Sequence, residues 1–228
     1  MATRLSHGDL TIDLHGAERW YGVAIAHLPA IERALAELPR EQAGIRLTGM
    51  TAIAGLLGPE GGIGALVARH LGSETRAVRM ILFDKSPAAN WTLGWHQDRT
   101  IVVRDRIEVD GYGPWTVKSG LLHVAPPIEL LERMITIRIH LDPVSAANAP
   151  LLIAPKSHRL GRVPETAVMA AVVRHGIHPC IAQAGDIWAY STPILHASDA
   201  AAEPRRRRVL QIDYAGEELP GGLEWLGI

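Results

Sequence analysis

Three segments place a histidine two residues before an aspartate: His7-Gly8-Asp9, His96-Gln97-Asp98 and His140-Leu141-Asp142. On a β-strand, residues i and i+2 point to the same side, so each pair offers an imidazole and a carboxylate next to one another. One further imidazole would complete a two-nitrogen, one-oxygen face around a cation and leave the remaining positions open. That donor set suits iron(II) in oxygen-activating sites. The pair alone is a weak signal. Eleven histidines and ten aspartates in 228 residues give roughly half a match by chance, so two of the three pairs need another explanation.

His7 and Asp9 precede any core strand and read as solvent-facing. His140 and Asp142 end a well-patterned strand and are the stronger rivals, with a polar residue inside the fold and a turn before Pro143 as their other readings. Strand count favours His96 and Asp98. A two-sheet roll needs several strands between its first metal motif and its last histidine; three can be counted between 140 and 196, and four or more between 96 and 196. His196, in GDIWAYSTPILHAS, is the candidate third ligand. Eleven residues later Arg207 heads RRVLQIDYA. The basic run 205–208 reads either as a solvated strand entrance or phosphate patch, or as a source of one inward guanidinium, because neighbours on a strand face opposite ways. An inward arginine can grip a carboxylate with two parallel hydrogen bonds.

The elements that must position these groups divide the chain at about residue 76. Residues 1–75 read as mainly helical: Ile31, Leu35 and Leu38 recur at helical spacing between Pro29 and Pro39, and a second helix is expected over 62–71. Glycines 55, 58, 61, 62 and 64 do not make a phosphate loop, since no G-K-[ST] follows, and read as turn and helix-start residues. Beyond residue 76, short strands are expected at 77–84, 134–142, 150–155, 178–183, 186–191 and 207–215. The pattern predicts a mainly β fold with α elements: a double-sheet roll over 77–215 with an N-terminal helical supporting layer, in one catalytic domain spanning 1–228. The tail is expected to dock through Trp225 and Leu226.

Four segments in order resemble the phytanoyl-CoA dioxygenase-like iron(II)/2-oxoglutarate oxygenases: ILFDKSP, WHQD, APLLIAPKSHRLG, and AGDIWAYSTPILHAS followed by RRRVLQIDYA. The resemblance implies a double-stranded β-helix (a cupin-like jelly roll). It implies iron(II) at His96, Asp98 and His196, with 2-oxoglutarate and oxygen as co-substrates. It implies 2-oxoglutarate contacts from Arg207 and Ser198, with Lys85 close by, and Arg207 rather than Arg208 because the family arginine precedes its strand's terminal tyrosine, here Tyr214, by seven positions. Arg138 falls where relatives line the pocket. The carboxylate at position 98 favours hydroxylation of a substrate C–H bond, with release of succinate and carbon dioxide. The chain departs from the family at Lys156, where the P-G-S-H turn has glycine, and in its insert at 100–130, which reads as a lid or specificity loop or as a hairpin extension. Trp95, Gln97, Arg99, Trp115, His123 and Arg138 are candidate substrate contacts. A catalytically silent binding protein and a zinc hydrolase using the same triad are the competing readings.

Bulk properties narrow the partners. A net charge of −1 offers no pull toward nucleic acid or an anionic membrane. Hydrophobic residues at 47% and charged residues at 21% are those of a globular domain. A single cysteine, Cys180, excludes an internal disulfide and suits a reducing, cytoplasmic compartment. No signal-peptide-like or membrane-spanning stretch is expected. A small-molecule substrate and a monomer or homodimer complete the expectation.

Overall fold

The computed structural model describes residues 10–39 and 42–228, so the His7 and Asp9 readings fall outside the described residues. The described strands are β1 (Ala17–Trp20), β2 (Ile45–Leu47), β3 (Arg76–Lys85), β4 (Leu93–His96), β5 (Ile101–Val102), β6 (Trp115–Lys118), β7 (Leu121–Val124), β8 (Ile135–His140), β9 (Leu151–Ile153), β10 (His178–Cys180), β11 (Ile187–Ser191), β12 (His196–Ser198) and β13 (Arg207–Ala215). The helices are α1 (Ile12–His15), α2 (Leu28–Ala34), α3 (Thr51–Leu57), α4 (Gly64–Leu71), α5 (Ile128–Glu132) and α6 (Glu165–His175). A six-stranded sheet runs β1-β11-β8-β13-β3-β2, a four-stranded sheet runs β10-β9-β12-β4, and a three-stranded sheet runs β5-β7-β6. Every named pairing is antiparallel. The two larger sheets form the jelly roll of a double-stranded β-helix.

Strand alternation explains which face of the large sheet does what. On β8, Ile135, Ile137 and Ile139 face one way and Thr136, Arg138 and His140 the other, all buried. On β13, Leu210, Ile212 and Tyr214 alternate with Arg207, Val209, Gln211 and Asp213. The apolar set joins Met80 and Leu82 of β3 in a core with Ile31 of α2, Ile53 and Leu57 of α3, and Val67 of α4. Each such buried aliphatic side chain contributes roughly 1.5–3 kcal/mol. The helices therefore cover the outside of the large sheet, and its polar face turns inward.

The first 75 residues depart from the mainly helical expectation. They also supply β1 and β2, the two edge strands of the large sheet, each too short for its alternation to stand out. The glycine-rich stretch makes the α3–α4 corner. A Cβ on Gly64 would come within 1.9 Å of the Gly58 carbonyl oxygen, and one on Gly61 within 2.3 Å of that of Leu56. These glycines are there because backbone meets backbone. The insert forms the three-stranded sheet and closes a second core with Trp225, whose indole donates to the Glu217 carbonyl at 2.9 Å.

The turn that lacks the family glycine keeps the glycine conformation. Lys156 has φ of 70°, and the Oγ of the following Ser157 accepts from the Leu195 amide at 2.8 Å. That bond ties the turn to the residue preceding His196.

Candidate metal centre

His96 ends β4 and His196 begins β12, and the two are direct partners in the antiparallel ladder. Their rings are 4.3 Å apart, centroid to centroid. Asp98 follows two residues after His96, and one ligand atom from each of the three lies within 4.8 Å of the others. Among the described residues this is the one His/Cys/Asp/Glu group so arranged.

Both imidazoles are preset. His96 Nδ1 donates to the Gly94 carbonyl at 2.7 Å, and His196 Nδ1 donates to the Ile194 carbonyl at 2.9 Å. A carbonyl can only accept, so Nδ1 carries a proton, and in the neutral ring Nε2 keeps its lone pair, the arrangement that orients a metal-binding histidine. Burial, then the neighbouring His96, hold His196 down at about 4, so it is neutral at physiological pH. Burial pushes the Asp98 carboxyl up, but Arg79, His196 and His96 outweigh it and keep it below its ordinary value. Arg79 was not anticipated from the sequence. Its Nη2 donates to Asp98 at 3.1 Å and its Nε to Asp213 at 2.5 Å, while Asp213 also accepts from Thr136 at 3.0 Å. The signal existed: Arg79 shares a strand face with Lys85 in an otherwise apolar segment.

The three groups open into a cavity of about 730 Å³ that also receives Arg207, Ser198 and Arg138. Arg207 is the inward member of the basic run. Its Nη1 donates to the Ala149 carbonyl at 2.5 Å, but its Nε is buried without a partner. Burial, then Arg138, depress it to about 9. Arg208 faces the other way and pairs with Asp142 at 2.8 Å and Glu32 at 3.0 Å. Lys85, opposite Arg207 in the ladder, is wholly buried. Its ammonium donates to the Asp199 carbonyl at 2.6 Å, the Trp91 carbonyl at 2.7 Å and Ser198 Oγ at 3.4 Å, so it stands behind Ser198 and outside the cavity wall.

The expected substrate contacts separate. Trp95, Arg99 and Arg138 line the cavity; Arg138 lies over the Phe83 ring at 5.0 Å, and no carboxylate among the described residues pairs with it. Gln97 also borders it, but its amide is fully engaged with the Gly161 and Pro193 carbonyls and the Val163 amide, at 2.9, 2.8 and 2.9 Å, so it braces the metal motif. Trp115 is a correction: it packs in the second core beside Leu122 and away from the cavity, because the insert's hairpin buries that side against Trp225. His123 of the same hairpin does reach the cavity. His140 lies on the inner face of β8 with both ring nitrogens unpartnered, and neither it nor Asp142 belongs to a group that could hold a metal.

A double-stranded β-helix with two histidines and a carboxylate at the mouth of its inner cavity defines the class of jelly-roll, non-haem iron oxygenases. The chain belongs to the phytanoyl-CoA dioxygenase family, whose model matches residues 62–209. Among curated proteins no sequence matches it at a significant level. Several solved structures share its fold. EctD from S. alaskensis, in its apo form, is 18% identical with a TM-score of 0.62 over 90% of this chain and 74% of that one. HygX from Streptomyces hygroscopicus, with nickel, 2-oxoglutarate and hygromycin B bound, is 13% identical with a TM-score of 0.61 over 90% and 84%. The epimerase SnoN, in complex with Fe3+, alpha-ketoglutarate and nogalamycin RO, is 13% identical with a TM-score of 0.60 over 92% and 88%.

Proposed function

We propose that this protein is an iron(II)- and 2-oxoglutarate-dependent oxygenase in which His96, Asp98 and His196 hold the metal and Arg207 and Ser198 hold the far carboxylate of 2-oxoglutarate. The reaction is hydroxylation of a C–H bond of a small molecule. The observation that carries the reading is a cavity with two imidazole Nε2 lone pairs and a carboxylate at one place and a buried, unpartnered guanidinium N–H at another. The donor set fits iron(II), which leaves further positions for co-substrate and oxygen. The orphaned Arg207 Nε fits a carboxylate, since a buried donor without a partner is costly to leave unmet. Family membership supports the reading, as do the 2-oxoglutarate and metals bound in HygX and SnoN.

When bound, iron(II) with 2-oxoglutarate and oxygen supplies the oxidising power, releasing succinate and carbon dioxide as one oxygen atom enters the substrate. The chain's own part is placement. Arg79 holds the Asp98 carboxylate ionised and aimed. Lys85 fixes the Ser198 hydroxyl, which can then donate to the same carboxylate as Arg207. A carboxylate there also relieves the crowding of Arg207 by Arg138. Trp95, Arg99 and Arg138 form substrate wall. The one cysteine, buried and pushed up by its burial, suits the reducing cytoplasm.

Anaerobic addition of iron(II) and 2-oxoglutarate should give the weak visible charge-transfer band of the chelate. His96→Ala should abolish it. Arg207→Gln should raise the 2-oxoglutarate Kd at least tenfold with iron affinity retained. Turnover without oxygen and 2-oxoglutarate would instead mark a hydrolase, a reading that leaves Arg207 without a task.

A further inference from the structure

The cavity has a second cationic corner that neither the metal nor 2-oxoglutarate uses. Arg46 sits on edge strand β2 opposite Ile81, and alternation sends Ile45 and Leu47 to the outer core and Arg46 to the cavity. Arg207 sits opposite Lys85 on the other side of β3. Two strand spacings across and four residues along separate the two arginines by roughly 16 Å between Cα atoms. One 2-oxoglutarate held at the metal by its keto acid end and at Arg207 by its far end does not occupy the Arg46 corner.

Unmet bonding capacity is concentrated there. Arg46 Nη1 donates to Ser119 Oγ of the insert's hairpin at 3.0 Å, while its Nε is shielded from solvent and has no partner. His123, on β7 and fully buried, donates from Nδ1 to the Leu121 carbonyl at 2.9 Å, which leaves Nε2 an acceptor, also buried and unpartnered. Both residues line the cavity, together with the exposed Lys118. Arg79 next to them is already neutralised by Asp98 and Asp213, and among the described residues no carboxylate pairs with Arg46 or Lys118. The corner thus presents N–H donors with positive charge beside one strong neutral acceptor. Burial holds His123 below its ordinary value, consistent with the neutral ring.

We propose that this corner seats the primary substrate by an anionic group, a carboxylate or phosphate at Arg46 and Lys118, with a neighbouring hydroxyl or ammonium donating to His123 Nε2. The substrate class is then a hydroxy or amino acid, or a phosphate ester with an adjacent donor. The insert supplies His123 and Lys118, and its Ser119 fixes Arg46, so the hairpin acts as a specificity element. This rests on the oxygenase reading above.

The test is calorimetry on nickel(II)-loaded protein saturated with 2-oxoglutarate, using phenylacetate, its 2-hydroxy analogue mandelate, benzyl phosphate and the neutral phenylacetamide as probes. Anionic probes should bind at least tenfold more tightly than phenylacetamide. Arg46→Gln should erase that margin, and Arg46→Lys should restore part of it, with 2-oxoglutarate affinity within twofold of wild type in both. Mandelate should outbind phenylacetate about fivefold, and His123→Phe should close that gap. Tighter binding of benzyl phosphate than of phenylacetate assigns a phosphate, and the reverse order a carboxylate. Anion binding no better than phenylacetamide, or unaffected by Arg46→Gln, overturns the inference while 2-oxoglutarate still binds. Wild-type protein that binds no 2-oxoglutarate overturns the oxygenase reading and this inference with it.

Discussion

Arg79 shows how much of the proposed metal site lies outside its candidate ligands. A carboxylate ligand left to rotate would sample positions away from the ion; a guanidinium bonded to it at 3.1 Å, itself anchored to Asp213 and through that to Thr136, removes that freedom. Partners one layer out from a metal typically change its affinity by about 10–100-fold. Arg79→Gln should therefore weaken iron(II) binding by at least about tenfold, read by anaerobic metal titration, while 2-oxoglutarate affinity measured at saturating metal stays close to wild type. An unchanged iron affinity would show that Asp98 is held by other means. The histidines carry the same logic in a cheaper form, each pinned through Nδ1 to the carbonyl two residues earlier.

Among the elements, the α3–α4 corner bears on the site indirectly. These helices cover the outer face of the sheet whose inner face carries Arg79, Arg138 and Arg207. The corner closes because Gly61 and Gly64 allow two backbones to touch. Gly64→Ala places a methyl group within 1.9 Å of a carbonyl oxygen that cannot swing aside, so it should destabilise the fold by about 1–3 kcal/mol or more, measured by denaturant unfolding. Gly55→Ala on the same α3 meets open space and should cost no stability, since alanine is the better helix former. The insert is an element of the other kind. Its Trp115 and Leu122 build the second core, while His123 and Lys118 face the cavity, so one hairpin is both structure and wall.

At the scale of the molecule, the inward polar face carries a stability consequence. His196 titrates near 4 and His140 lies well below its ordinary value, in each case chiefly through burial. A histidine whose folded value lies below its unfolded value near 6.5 favours the fold when neutral. The unfolded chain takes up protons first, so stability is lost as pH falls from about 6.5 toward 4. For metal-free protein, His196 alone contributes roughly 3 kcal/mol to that loss. Saturating iron(II) should steepen it, because protonation of the imidazoles also expels the ion. The check is the urea midpoint against pH, with and without metal; a midpoint flat between pH 6.5 and 4.5 would contradict the buried, neutral histidines. No helix among the described residues is long and apolar enough to cross a membrane.

What the chain announced by itself was whatever depends on local pattern. Alternation marked β8 and required that only one of Arg207 and Arg208 face inward; the family resemblance, counting back from Tyr214, named Arg207. Motif order along the chain pointed to His96, Asp98 and His196, and strand count set His140 aside. Element boundaries on short edges were less legible: β1 and β2 carry too few residues for a period to emerge, and they exist as strands because the large sheet has edges to extend. Tertiary structure alone decided the rest. Whether Trp115 or His123 meets the cavity depends on which face the hairpin buries, and whether Gln97 is a contact or a brace depends on carbonyls 64 and 96 residues away. Arg46 joins the site only through its pairing with β3. Local physics writes period and spacing into the sequence, whereas the partners of a buried polar atom are chosen by residues far along the chain and appear only once the fold has brought them together.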